Sequence, residues 1–200
     1  PPSAEIATKI MHFALGCGKQ VVVNFIGMAI PMRRSNNLHF AASLDDAAAL
    51  AMAATDVQMT PSDRPPIDGF VRGLFAGGTL AYEMLLAMQP TFAPLHSTVP
   101  ISTQQALADV WRSEAHTSLD MGEDAFTQGR LHPMMDNDLR LRRFEVESAD
   151  STVGAIILDV VLGAGAHSDP ASEIAPLIAA TRPDLLVFAL VVGTAADPQD

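Results

Sequence analysis

The stretch FTQGRLHPMMDNDLR, residues 126 to 140, gathers Arg130, His132, Pro133, Asp136 and Asp138 into one short segment of an otherwise apolar chain. A guanidinium binds a phosphate or carboxylate through two parallel hydrogen bonds, and a neutral imidazole passes a proton near pH 7. Arg130, following Gly129, is therefore a candidate anion clamp, and His132 a candidate catalytic residue. A helix-entry loop explains Pro133, which stiffens the approach, and Asp136, which caps, but calls for neither Arg130 nor His132. Glu123 and Asp124 lie near enough in sequence to orient Arg130, or merely to solvate the loop.

Two glycine-bearing loops offer the same chemistry from the backbone. In AGGT, Gly77 and Gly78 let the main chain approach an anion. The helix that follows aims N–H groups and a positive dipole end at it, and Thr79 adds a hydroxyl. In LGAGAHSD, Gly163 and Gly165 offer a second, weaker approach for a phosphate or a phosphopantetheine arm. A tight strand-to-helix turn is the alternative use of the glycines in both loops. No GxxxxGK[ST] is present, which excludes a Walker-type nucleotide loop. Asp159 interrupts an apolar strand and must be charge-paired, hydrogen-bonded or near the strand end. The expectation is a pocket for small anions, made where the Arg130 guanidinium faces the helix start after Ala76.

The elements that position these residues alternate. Apolar residues at Ile6, Ile10, Phe13 and Ala14 mark a helix ended by Gly16 and Gly18. QVVVNFIG (20–27) is a strand covered on both faces, and SLDDAAALAMAA (43–54) is a helix opened by Ser43 and Asp46. TPSDRPPIDG (60–69) reads as a linker, because three prolines sit among polar residues. Beyond it come a strand (70–76), a helix (77–88), an ill-defined region (89–115) where STQQALADVW has helical character, and a weak strand at HTSLDMG. A helix over 136–148 with Asp136 as cap follows, then a buried strand (152–163), a helix with Asp169 at its cap and Pro170 at its first position, and a last strand (184–193). The predicted class is α/β: two flavodoxin-like three-layer domains with mainly parallel sheets, a partial one at 1–59 and a second at 70–200. In such sheets ligands bind beyond the carboxyl ends of the strands, the position of AGGT, LGAGAHSD and the terminal Gly193–Thr194.

Composition narrows the function classes. Hydrophobic residues make up 48% and charged residues 18% of the 200, which excludes disorder by composition. A net charge of -11 argues against nucleic acid as partner. The basic clusters Arg33–Arg34 and Arg140–Arg142–Arg143 read as solvated faces. A lone cysteine, Cys17, fits a reducing compartment, hence the cytoplasm, and no Cys/His grouping suggests a metal. No apolar run is long enough to span a membrane, and PPSAEIATKI lacks the features of a signal peptide and reads like the inside of a longer protein. The other five histidines stand apart: His12, His96 and His167 read as structural, His116 shows no partner, and His39 gains interest only below.

At RGLFAGGTLAYE, LDMGEDAFTQGRLHPMMD and AIILDVVLGAGAHSDPASE, in that order over residues 72–173, the chain resembles the FdrA family, relatives of the ligase domains of succinyl-CoA synthetase. GKQVVVNFIG, NNLHFAASLDDAA and GTAADPQ extend the likeness across the chain. The resemblance implies one ligase domain like that of the synthetase α subunit (1–59) and a ligase-CoA domain like that of the β subunit (70–200). It also implies CoA and phosphate as ligands, with any nucleotide bound outside this segment. A small anionic substrate and a homo- or hetero-oligomer with other subunits follow from the same likeness. Succinyl-CoA synthetases carry a phosphorylated histidine within GHAGA; here IPMRRSNNLHFAA puts His39 at a similar place after Pro31, Arg33 and Arg34, without those glycines. Three activities are thus expected as competitors. One is an acyl-CoA synthetase core handling acyl phosphate and CoA. The second is a subunit of an oxamate carbamoyltransferase that makes carbamoyl phosphate from oxalurate. The third is a non-catalytic scaffold.

Overall fold

The computed structural model describes residues 2–30, 32–52, 66–193 and 197. The chain divides into two compact units, Pro1–Arg64 and Pro65–Asp200. Pro31, Thr194 and positions 60–65 of the proline-bearing stretch lie outside the described residues.

The first unit opens with helix α1 (Ala4–Gly16), where the Ser3 hydroxyl accepts from the Ile6 amide at 3.3 Å. Strands β1 (Val21–Val23), β2 (Arg34–Ser35) and β3 (Leu38–Phe40) form a sheet in the order β1-β3-β2, and helix α2 (Leu44–Met52) follows. β1 and β3 run parallel, whereas β2 and β3 form an antiparallel hairpin around Asn36, which takes φ 52°. The long strand expected over 20–27 is thus only three residues, and a hairpin stands where the sequence suggested a loop. Ser43 accepts from the Asp46 amide at 3.0 Å, and Asp46 accepts in return from the Ala42 amide at 2.7 Å. Two hydrogen bonds from Arg33, at 2.6 and 2.7 Å, hold the Asp46 carboxyl down to about 2.

The second unit holds β4 (Phe70–Phe75), α3 (Gly78–Met88), β5 (Leu95–Ser97), β6 (His116–Asp120), the single turn α4 (Asp124–Thr127), α5 (Asp138–Ala149), β7 (Val153–Val161), α6 (Pro170–Ala179) and β8 (Leu186–Val192). Its five strands are all parallel, in the order β5-β6-β4-β7-β8. β5, three residues long, has no sequence signal, and STQQALADVW contributes only a 3₁₀ turn at Thr103–Gln105.

Alternation along the strands divides the core in two. Val71, Phe75 and Ala155 pack with Ala81, Met84, Leu85 and Met88 of α3. Leu74, Leu119, Ile156 and Leu158 pack on the other face with Phe144 of α5 and Ile174 of α6. Burying each such large aliphatic side chain stabilises the unit by about 1.5–3 kcal/mol. Gly73 allows the close approach of α3, since a Cβ there would lie 2.3 Å from the Met84 sulfur. This is the three-layer α/β arrangement of a flavodoxin-like fold. The chain winds from β4 to β5 and β6 on one side, then to β7 and β8 on the other, so a crevice is expected at the carboxyl ends around β4.

Candidate functional site at the carboxyl edge of the five-stranded sheet

β4 ends at Phe75, and Ala76–Gly77 lead directly into α3. Gly77 is the cap residue and has no side chain to satisfy the first amides of the helix, which therefore remain for a ligand or solvent. Asp120, the last residue of β6, is buried beside this helix start. Its own amide donates to the Thr98 hydroxyl at 2.8 Å, and its Oδ1 accepts from the Gly122 amide at 2.9 Å. Its Oδ2 points at Gly78, where a Cβ would meet it at 2.8 Å. Burial pushes the Asp120 carboxyl above the usual carboxylate range, against the Gly122 hydrogen bond and His132, and with some help from Asp159.

His132 reaches the same place from the loop before α5. Its Nδ1 accepts from the Met134 amide at 3.2 Å, which leaves Nε2 as the nitrogen that presents a hydrogen. A Cβ on Gly122 would lie 2.6 Å from that Nε2, 2.7 Å from the Ala76 carbonyl oxygen and 3.1 Å from Asp120 Oδ1. Gly122 is thus the point around which the β4–α3 turn, the β6 carboxylate and the histidine loop converge.

A chain of hydrogen bonds, buried as far as Asn137, runs behind them. The Ala76 amide donates to Asp159 Oδ1 at 2.9 Å, and Arg140 Nη1 donates to the same oxygen at 2.5 Å and to the Asp159 carbonyl at 2.8 Å. Arg140 Nη2 donates to Asn137 Oδ1 at 2.7 Å, and Asn137 Nδ2 to Glu173 Oε2 at 3.1 Å. The other Glu173 oxygen lies 3.4 Å from His167 Nε2, while His167 Nδ1 accepts from the Asp169 amide at 3.1 Å. The carboxyl ends of β4 and β7 and the first turn of α6 are locked together by this chain. Arg140 and Arg143 are therefore not the solvated side chains their charge suggested. Their partners Asp159 and Glu147 come from the apolar strand β7 and from one turn further along α5, and draw both inward. Only Arg142 remains exposed, paired with Asp138 at 3.0 Å. Asn137, not Asp136, occupies the cap position of α5. Its side chain is committed to the buried chain, and Asp136 accepts from the Asp138 amide at 2.9 Å instead.

The remaining candidates separate from this centre. Arg130 faces Asp138 at 3.8 Å, with both side chains about half exposed, rather than the glycines of AGGT. It lines a cleft of about 300 Å³ with Met121, Phe126, Gly129, Leu131 and Asp136, to which neither Gly77 nor Gly78 contributes. The loop delivers His132 to the helix start and turns Arg130 to its own side. Gly129 at φ 72°, Gly163 at φ 118° and Gly165 at φ 87° occupy backbone conformations that favour glycine, and the Ala166 amide closes a turn on the Gly163 carbonyl at 3.1 Å. The turn use of these three glycines is thus visible in the backbone.

His39 lies within β3, its Nε2 2.8 Å from Gln20 Oε1. His116 has a partner after all, since its Nδ1 accepts from the Val71 amide at 3.1 Å between the edges of Phe70 and Phe92. Asp120 was missed in the sequence because the strand it closes, HTSLD, is polar apart from Leu119 and gives no contrast like that of Asp159 within its apolar run. Among the described residues, no group of three or more His, Cys, Asp or Glu is arranged to hold a metal, and no helix is long and apolar enough to cross a membrane.

Residues 74–200 match the family model described as CoA-ligase. The chain is also 33% identical over 219 residues to YahF of Escherichia coli (strain K12), a protein described as uncharacterized. That similarity covers 98% of this chain and 42% of the relative, so the chain spans less than half the length of the curated relative it matches. The matched region begins within β4 and contains every residue of the carboxyl-edge site described above, and the chain belongs to the CoA-ligase family.

Proposed function

We propose that this chain is the ligase core of an FdrA-type, succinyl-CoA synthetase-like enzyme that holds a phosphate group at the start of α3 during exchange between an acyl phosphate and CoA. The observation that carries the reading is the set of uncapped first-turn amides after Gly77, opening beside Asp120 and His132 at the carboxyl ends of the strands. Phosphate is the group these residues fit, because backbone amides and a helix dipole supply partial positive charge without a fixed cation. Gly77, Gly78 and Thr79 would bind it, and His132 Nε2 would donate to it or to the departing oxygen. In the reaction the CoA sulfur forms a bond to the acyl carbon, the carbon–oxygen bond to phosphate breaks, and the thiol proton leaves to solvent or to the released phosphate.

The test supplies CoA with a panel of short acyl phosphates and follows thioester absorbance and phosphate release. Thioester formation that falls by at least about tenfold in His132→Ala is expected. No turnover across the panel, with partner subunits present, would overturn the reading.

The placement of His39 favours a second reading. A histidine within a short strand, bonded to Gln20, is poorly suited to carry a phosphoryl group on a mobile loop. A carbamoyltransferase that makes carbamoyl phosphate from oxalurate and inorganic phosphate needs no such histidine. Phosphate-dependent formation of carbamoyl phosphate is its test.

A further inference from the structure

Asp120 is hard to reconcile with an indiscriminate anion site. A carboxylate beside a helix N-terminus already supplies negative charge, and a second anion would meet it at close range. Its placement is nonetheless built with care. Oδ1 is held by the Gly122 amide and the main chain by the Thr98 hydroxyl, while Oδ2 accepts no hydrogen bond among the described residues and is aimed at the first residue of α3. The residue is only 8% exposed. Oδ2 is the atom of this largely buried carboxyl that is left open at the helix start, and a ligand that brings a hydrogen would satisfy it.

Taking the phosphate site proposed above as its basis, we infer that Asp120 is its specificity-determining residue: the carboxylate admits an oxyanion that still carries an O–H and rejects one that does not. Hydrogen phosphate donates its O–H to Asp120 Oδ2 while its remaining oxygens accept from the α3 amides. Sulfate, of similar size and charge, has no hydrogen to give and places an oxygen lone pair against the carboxylate. The same rule admits an acyl phosphate only while its phosphoryl group keeps a proton, and favours inorganic phosphate as either the attacking or the released species. Discrimination of this kind comes from leaving a buried polar group unpaired with the wrong ligand.

Other groups face Asp120 from each neighbouring element: His132 from the loop before α5, Asp159 from β7 with Arg140 on it, and Glu123 from the turn after β6. Glu123 is itself pushed upward by burial, then by Asp120 and Asp124. Because burial raises the Asp120 carboxyl, acid converts it into a donor, and sulfate then becomes acceptable. The discrimination is therefore expected above the Asp120 titration and lost below it.

The experiment is calorimetric titration of the chain with inorganic phosphate and with sulfate, in the unaltered protein and in Asp120→Asn, at about pH 8 and again near pH 5. At the higher pH the unaltered protein should prefer phosphate by about tenfold or more, and Asp120→Asn should bind the two anions within about threefold of each other. On acidification sulfate binding should strengthen in the unaltered protein more than in Asp120→Asn, which retains His132 and so isolates the carboxylate. Equal binding of the two anions by the unaltered protein overturns the inference and leaves the anion site standing. Preference for phosphate that survives in Asp120→Asn also overturns it. Binding of neither anion by either protein removes the underlying site and the inference with it.

Discussion

Near the start of β4, Arg72 is 3% exposed and donates from Nε to Glu147 Oε2 at 2.7 Å. The other Glu147 oxygen accepts from Arg143 Nε at 2.6 Å and from the Ser113 hydroxyl at 2.5 Å, and Arg143 donates back to that hydroxyl at 2.7 Å. Both carboxylate oxygens of Glu147 are engaged by side chains of the protein, although Arg72 Nη1 is buried without a hydrogen-bond partner among the described residues. At the far end of the same strand the buried charges behave differently. Asp159 and Arg140 pair, but the groups around them stop at atoms with capacity left: Asp120 Oδ2, His132 Nε2 and the first amides of α3. The two buried polar clusters thus differ in where their unused capacity lies, sealed in the core at Arg72 Nη1 in one and at the carboxyl edge of the sheet in the other. A cluster whose spare donor is sealed among packed side chains can only hold elements together. One whose spare groups open at the edge, where the strand order turns, is poised for a ligand.

Glu147→Ala breaks that comparison most severely. It leaves Arg72 and Arg143 buried without their shared acceptor and should destabilise the second unit by about 3–5 kcal/mol. Urea unfolding would register the loss as a lower midpoint at unchanged slope. Phosphate affinity of the protein that remains folded should not change. A variant that kept its stability, or lost anion binding while folded, would show that the two clusters are not separable as argued.

Gly122→Ala attacks the open cluster at its convergence. The added Cβ would fall 2.7 Å from the Ala76 carbonyl, a backbone atom that cannot swing aside, and 2.6 Å from His132 Nε2. The cost to stability is expected to be about 1–3 kcal/mol, smaller than for Glu147→Ala, because the turn can shift toward solvent. Phosphate binding should suffer far more than stability does. The informative measurement is the pair of values together: unfolding midpoint and phosphate affinity, both compared with Glu147→Ala, which should show the opposite balance.

How legible each cluster was in the sequence follows from where its partners lie. β4 and β7 read clearly because parallel strands covered on both faces are near-continuous apolar runs; β8 read clearly from its apolar run as well, although it is an edge strand left largely exposed, and Asp169–Pro170 announced α6. The three-residue β5 and the β2–β3 hairpin carried no periodicity to read. Arg143 and Glu147 stand one helical turn apart and were readable in principle as a pair, yet that spacing does not reveal that Arg72 joins them from 75 residues away. Arg140 looked solvated for the same reason, since Asp159 lies 19 residues on in another element. The glycines at 77 and 78 were chosen for backbone chemistry, and the structure does place them at a helix start. What they face is Asp120, not Arg130, and no local pattern encodes which of two loop residues will turn inward. Gly129 takes φ 72° immediately before Arg130, a bend in the loop that only the folded backbone shows.

The smallest effect should come from Arg130→Ala, and it sharpens the boundary of the open cluster. The guanidinium meets Asp138 at 3.8 Å with both side chains about half exposed, a separation at which solvent screens most of the attraction. Asp138 also keeps Arg142 at 3.0 Å, so its charge is not left alone when Arg130 is removed. Stability should therefore change by no more than about 1 kcal/mol. The cleft beside Met121 and Phe126 contains no glycine of the α3 start, so the ratio of phosphate to sulfate affinity should be the same with and without the arginine. A large loss of phosphate binding in this variant would mean that the guanidinium swings across to the helix when ligand arrives. The open cluster would then extend to the 130 loop, and Asp120 would no longer discriminate alone.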